Sequence, residues 1–267
     1  MRYHILASGS KGNATIISNK DTNIMIDFGL TTKKQYLDKM ASIGISFNDI
    51  DALFITHSHY DHMNRWLPLI PYEKRYATSY TSKAILEEGL DGHGVLKEHI
   101  LNAYDKIKIG TLEILVLPTS HDVKGSIGFL ISDEEEKLCY ITDTGLIFEK
   151  TLQNIQNCTY YIMESNHDIR MLLETSRPQS LKDRILGDKG HLSNEDASIY
   201  LSDVIGPATK EIVFAHISEE ANSPTKVIET FEKVLKKRGV SIENINYRCS
   251  SQKEMISGGN ISGDSYA

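Results

Sequence analysis

The chain has 267 residues, 40% of them hydrophobic and 24% charged, which is ordinary for a soluble globular protein of one large α/β domain or two small ones. No apolar run approaches the roughly 18 residues a membrane helix needs, and no secretory leader pattern opens the chain, so a cytoplasmic protein with no membrane partner is expected. The formal charge of −7 gives no global pull toward nucleic acid, so a polyanion would have to be caught by a local basic patch or by metal ions.

Residues 2–7 read as a strand, and the glycine-rich turn Ser8-Gly9-Ser10-Lys11-Gly12-Asn13 leads to a second strand over 14–18. That turn lacks the spacings of phosphate-binding loops, and a tight connection explains it at least as well. A third strand over 23–27 closes at Asp27-Phe28-Gly29. Tyr36, Leu37, Met40 and Ile43 then recur at helical spacing until Gly44 stops the helix. Strand meanders feeding a helix suit a sheet with one face toward a partner sheet and the other under helices.

Residues 51–56 have the apolar and β-branched content of a short buried strand, and directly after it come His57, His59, Asp61 and His62. Neutral imidazoles and a carboxylate are the ligands that zinc, manganese and iron prefer. Any one of these residues alone would be a polar turn or a satisfied core histidine. Four so close cannot all be buried without a metal or partners.

A short helix over 81–88 ends at Gly89, and His93 and His99, without ligand spacing, read as surface residues. A strong strand over 111–117 ends in Pro118-Thr119-Ser120-His121. The hairpin 127–132 with 137–142 encloses the solvated turn Asp133-Glu134-Glu135-Glu136 and delivers Asp143-Thr144-Gly145, a sequence that also suits a plain turn. Residues 159–163 make another strand, ending in Glu164-Ser165-Asn166-His167-Asp168. Helices over 169–174 and 180–186 flank Arg177-Pro178, and here Arg170, Arg177, Lys182, Arg184 and Lys189 form the densest basic cluster outside the C-terminal helix.

In Gly190-His191-Leu192-Ser193-Asn194, Ser193 with Asp196 resembles a capping box, and Ala197, Tyr200, Leu201 and Val204 give the helix that follows its buried face. A strand over 211–215 ends in His216. Ser223 and Pro224 open a helix whose last turn, Lys236-Lys237-Arg238 before Gly239, complements the helix dipole and needs no ligand to explain it. A final strand over 242–248 precedes residues 250–267, whose Ser and Gly content suggests a flexible tail. Cys139, Cys158 and Cys249, odd in number and widely spaced, imply neither a disulfide framework nor a cysteine zinc site.

The pattern H-x-H-x-D-H directly after a strand resembles the first metal motif of the metallo-β-lactamase superfamily of hydrolases. The resemblance implies an α/β fold, a four-layer αββα sandwich over residues 1–249. It also implies two divalent ions, zinc or manganese: His57, His59 and His121 for one, Asp61, His62 and His216 for the other, with Asp143 shared. His59 stands where the oxygen-reducing flavo-diiron branch has Glu, which favours a hydrolase. Such ions lower the pKa of a bound water from 15.7 toward about 7 and clamp the oxygens of an in-line displacement by the resulting hydroxide.

The segments around Gly190-His191-Leu192-Ser193 and Phe214-Ala215-His216-Ile217-Ser218 resemble late motifs of tRNA-processing metallo-hydrolases, in which the earlier histidine serves the phosphate or leaving group. By that likeness Asp61, Glu164 and His191 are the catalytic residues, with Glu164 orienting His191. The stretch 163–194 is still more similar to the YycJ/WalJ group, a resemblance that extends over about residues 1–250 and implies a 5′ to 3′ exonuclease on double-stranded DNA. Arg177-Pro178 departs from it, standing where an aromatic before the proline is expected. Asn166, His167, Arg170, Lys182, Arg184 and Lys189 then become the candidate substrate-binding residues. A phosphodiesterase for small cyclic nucleotides, as phages use against Pycsar defence, is the alternative; a lactamase or thioesterase and a non-catalytic binding protein follow.

Overall fold

Runs such as Ala14-Thr15-Ile16-Ile17 and Tyr161-Ile162-Met163 bury successive residues on both faces, the pattern of strands covered from two sides. In the computed structural model, which describes residues 1–20 and 22–260, the first half of the chain forms β1 (Arg2–Ala7), β2 (Ala14–Asn19), β3 (Thr22–Ile26), α1 (Lys33–Ala41), β4 (Ala52–Phe54), β5 (Arg75–Thr78), α2 (Ser79–Glu87), β6 (Ile100–Leu101), β7 (Lys106–Ile109) and β8 (Leu112–Pro118). The second half forms β9 (Ile127–Ser132), β10 (Lys137–Ile141), α3 (Glu149–Asn154), β11 (Tyr160–Glu164), α4 (Ile169–Glu174), α5 (Gln179–Leu186), α6 (Asn194–Val204), β12 (Glu211–Ala215), α7 (Pro224–Arg238), β13 (Asn246–Cys249) and β14 (Ile256–Gly259). Two compact units result. One holds Met1–Val116, Val123–Ile127 and the described residues from Ser251; the other holds Leu117–Asp122 and Gly128–Ser250.

In the first unit the strand order is β14-β1-β2-β3-β4-β5-β6, antiparallel up to β3 and parallel from β3 to β6. Its core gathers Leu6, Ile16, Met25, Phe28, Leu53 and Ile55 with Tyr36 and Met40 of α1 and Ile85 of α2, and Phe28 stacks on Tyr36 at 4.2 Å. Thr32 and Gln35 close a capping box that fixes where α1 begins. In the second unit β13-β12-β11-β10 run parallel and β9 pairs antiparallel with β10. Val227, Phe231 and Leu235 form the buried stripe of α7, and Phe231 packs edge-on against Phe214 of β12.

The parallel order decides where side chains gather. Strands β3 and β4 are adjacent and parallel, so Asp27 and Thr56-His57 leave the sheet at the same end. Strands β10, β11 and β12 are likewise neighbours, and just beyond or at their C-terminal ends stand Asp143, Glu164 and His216. This is the end at which parallel α/β sheets receive ligands.

Several expectations are corrected. Residues 250–260 are not a tail: β14 pairs with β1 from Arg2↔Gly259 to Ile5↔Ile256; residues 261–267 lie outside the described residues. The last strand expected over 242–248 is the shorter β13. Strands β5, β6 and β7 and helix α3, none of which the sequence reading anticipated, have two to six residues each, too few to display a period. Among the described residues no helix is long and apolar enough to cross a membrane.

Candidate active site

In the first unit, the end of β4 presents the histidine loop against a backbone built to hold it. The N–H of Asn13 donates to the Asp61 carbonyl at 2.7 Å, the N–H of Phe28 to the His62 carbonyl at 2.7 Å, and the Asn13 amide donates to His62 Nε2 at 3.0 Å. A Cβ on Gly29 would come within 1.8 Å of the Asp61 carbonyl oxygen, so the loop fits only over a bare glycine. The glycine-rich turn after β1 thus supports the histidine loop through Asn13.

His57 and His62 are fully buried, with ring centroids 4.1 Å apart, and His57 Nε2 lies 3.0 Å from His59 Nδ1. His62 Nδ1 meets Asp27 Oδ2 at 2.7 Å, and Asp27 Oδ1 accepts from the N–H of Thr56 at 2.8 Å and its hydroxyl at 2.9 Å. Burial pushes the Asp27 carboxyl above its ordinary value, against the pull of His62. A carboxylate on the far nitrogen of an imidazole fixes its tautomer and aims Nε2 outward, as metal-binding histidines require. In the sequence Asp27 stands only as the end of a strand. Its backbone φ of 63° is the signal of a special position.

In the second unit, Asp143, Glu164, His191 and His216 each offer a ligand atom, and these atoms lie within 4.8 Å of one another. Asp143 and His216 both hold left-handed backbone, with φ of 54° and 52°, a strain tolerated where geometry serves a site. Asp143 Oδ1 stands 3.5 Å from His216 Nε2, 3.7 Å from His191 Nδ1 and 3.8 Å from His121 Nε2. His121 Nδ1 is engaged by the Gly190 carbonyl at 3.1 Å, which leaves Nε2 as its ligand atom.

Glu164, fully buried, is met on both oxygens. Its Oε1 lies 2.7 Å from His191 Nδ1 and 3.1 Å from His216 Nδ1; its Oε2 accepts from the N–H of Thr144 at 3.0 Å and of Leu192 at 3.2 Å. Burial alone would raise this carboxyl, but the adjacent His191 and the hydrogen bonds from both histidines outweigh it and hold it down to about 2. Glu164 is therefore an anion at neutral pH.

The donor chemistry fits divalent metal in both units: imidazole nitrogens with their other nitrogen engaged, and carboxylates that need countercharge. The structure brings His57, His59, Asp61 and His62 together in one unit, and His121, Asp143, Glu164, His191 and His216 in the other.

The expected substrate-binding residues divide. The Asn166 amide donates to the backbone carbonyl of His216 at 2.9 Å, and Lys182, buried, donates to the Leu173 carbonyl at 2.6 Å. Both side chains are engaged by backbone acceptors that no sequence pattern reveals. His167 is buried, and neither ring nitrogen has a hydrogen-bond partner. Arg170 pairs with Glu174 and Arg184 with Asp122, while Lys189 is exposed and forms no ion pair among the described residues.

A family model described as a beta-lactamase superfamily domain matches residues 22–217. The chain is 31% identical over 245 residues to the exodeoxyribonuclease YycJ of Bacillus anthracis, covering 91% of this chain and 92% of that protein. It is likewise 31% identical over 229 residues to the exodeoxyribonuclease WalJ of Streptococcus pneumoniae, with 83% of each covered. Among solved structures, the metallo-β-lactamase fold protein YhfI of Bacillus subtilis superposes with a TM-score of 0.70 at 13% identity, over 96% of this chain and 99% of that one. At such identity the likeness is one of fold, and it agrees with the α/β class expected from the sequence.

Proposed function

Since the chain belongs to the metallo-β-lactamase superfamily of metal-dependent hydrolases, and within it to the YycJ/WalJ group, we propose that it is a dinuclear phosphodiesterase acting as a 5′ to 3′ exonuclease on double-stranded DNA. Relatives named exodeoxyribonucleases support the substrate class. The observation that carries the reading is the contact of His191 with Glu164, because the alkoxide departing from a phosphodiester requires a proton and this pair sets an imidazole to give it.

In this reading His57, His59 and His121 would hold one ion and Asp61, His62 and His216 the other, with Asp143 as a further ligand. Two divalent ions, zinc or manganese, would supply water activation at neutral pH and neutralise the phosphate oxygens. The chain's own residues do the rest. Glu164 accepts the Nδ1 proton of His191, which leaves Nε2 to carry the proton given to the leaving oxygen. His191 is 15% exposed, enough for a substrate to reach it, whereas Glu164 is sealed from water and keeps its orientation. Through His216 Nδ1 the same carboxylate also aims a metal ligand, so Glu164 links proton transfer to ligand geometry.

The net charge of −7 favours a smaller nucleotide over a long duplex, so the test includes both. Protein loaded with manganese or zinc is given a 5′-labelled duplex and a cyclic nucleotide, with Asp61→Ala and His191→Ala as controls. Mononucleotides released from the duplex end are the expected result. Loss of the cyclic nucleotide with intact DNA would move the function to small nucleotides, and turnover of neither would end the phosphodiesterase reading.

A further inference from the structure

Helices α4, α6 and α7 line a groove of about 500 Å³ that includes none of the proposed metal ligands and neither member of the Glu164–His191 pair. One wall is the α7 stripe Thr230, Lys233, Val234 and Lys237, spaced to face one side of a helix. Ile169, Arg170 and Leu173 of α4 complete the lining together with Asp168, Ser193, Asn194 and Glu195. Lys233 and Lys237 are exposed and form no ion pair among the described residues, whereas the other basic residue of the groove, Arg170, is tied to Glu174. Of the two acidic residues, Asp168 is engaged in capping α4 through the N–H of Met171 and Glu195 lies in the first turn of α6. Ile169 and Leu173 are 42% and 49% exposed and give the same groove apolar surface beside its cations.

Three features choose the occupant. The groove begins on the segment that carries the Glu164–His191 pair: Asp168 follows His167 directly, and Ser193 and Asn194 follow His191 by two and three positions. Its two unneutralised cations sit one helical turn apart, about 6 Å along the axis, near the backbone repeat of one nucleic-acid strand. Its volume takes a short stretch of one strand and no duplex, and its apolar surface suits sugars and bases while the lysines meet phosphates. The geometry points to this groove as the seat of a single nucleic-acid strand continuing from the cleavage site. The inference rests on the nuclease reading and extends it to where the substrate lies.

The test is binding of a fluorescent single-stranded oligonucleotide by anisotropy at several salt concentrations, with the double variant Lys233→Gln/Lys237→Gln. Glutamine keeps helix propensity, and Lys236→Gln, on the same helix but outside the groove, controls for net charge. The double variant is expected to weaken binding about 10-fold and to make the log–log salt slope shallower by about 1.4, two contacts at ~0.7 each, with Lys236→Gln close to wild type. Hydrolysis of bis(p-nitrophenyl) phosphate, too small to enter the groove and the site together, is expected to stay unchanged. Unaltered affinity and slope in a double variant that still cleaves DNA would overturn the groove alone. A wild-type protein that neither binds nor cleaves DNA would overturn the groove and the nuclease reading together.

Discussion

His191 Nδ1 stands 2.7 Å from Oε1 of Glu164, a fully buried carboxylate held ionised by that contact and by His216. In the proposed function this contact orients the proton donor independently of solvent. His191→Ala is expected to lower kcat on DNA by about 10²–10⁴. With the p-nitrophenyl ester of thymidine 5′-phosphate, whose leaving group departs without a proton, the loss should be at least tenfold smaller. Equal losses on both substrates would assign His191 to substrate binding. Glu164→Gln should show the same discrimination between leaving groups, with a total loss nearer 10–100-fold.

Asp27 acts through His62, and its removal is a test of metal holding. In Asp27→Asn the remaining oxygen still accepts from the N–H of Thr56, but the negative charge opposite His62 Nδ1 is gone. Metal affinity should fall about 10–100-fold, read as metal retained after dialysis against graded chelator. Excess zinc or manganese should restore activity to Asp27→Asn. Undiminished metal retention would show that His62 needs no such partner.

Gly29→Ala tests whether the bare backbone beneath the histidine loop is required. The added methyl meets the Asp61 carbonyl at 1.8 Å and the His62 nitrogen at 2.9 Å, so the loop must move. Displacement of about 1 Å at a reacting centre costs on the order of 10²-fold in kcat, and overpacking costs roughly 1–3 kcal/mol of stability. Gly92→Ala, with nothing within 4 Å of the added methyl, should be close to neutral in both assays. A Gly29→Ala protein with wild-type turnover would show that the loop is not seated on this glycine.

What the sequence disclosed follows from adjacency along the chain. Histidines 57, 121 and 216 and the acids Asp143 and Glu164 each sit at the end of an apolar strand or a few residues beyond it, so strand and side chain are read in one stretch. Partners that meet only through folding were hidden. Asp27 is 35 residues from His62, the acceptor of Lys182 is a backbone carbonyl, and β14 pairs with a strand some 250 residues earlier. Lys237 shows the same limit: its place in the last turn of α7 explains it by the helix dipole alone, and only the packing of α4 and α6 turns it toward a groove.

His167 offers a last test, in stability instead of rate. It is 1% exposed, neither ring nitrogen has a partner, and burial holds its pKa down to about 4, with His191 acting in the same direction and Glu164, Asp196 and Asp168 against. In the unfolded chain the imidazole takes up a proton as pH falls through its ordinary 6.5; in the folded protein it does so only near 4. The unfolded state therefore binds more protons between these values, and stability that is whole above pH 6.5 is lost as pH falls toward 4, by roughly 2–3 kcal/mol. His167→Leu removes this contribution. Because no hydrogen bond is given up, the variant should match or exceed wild type at pH 7, and its urea midpoint should fall less between pH 7 and pH 5. A substrate contact by His167 would add a higher KM on DNA. Midpoints that fall in parallel would show that the ring is protonated, or hydrated, in the folded state.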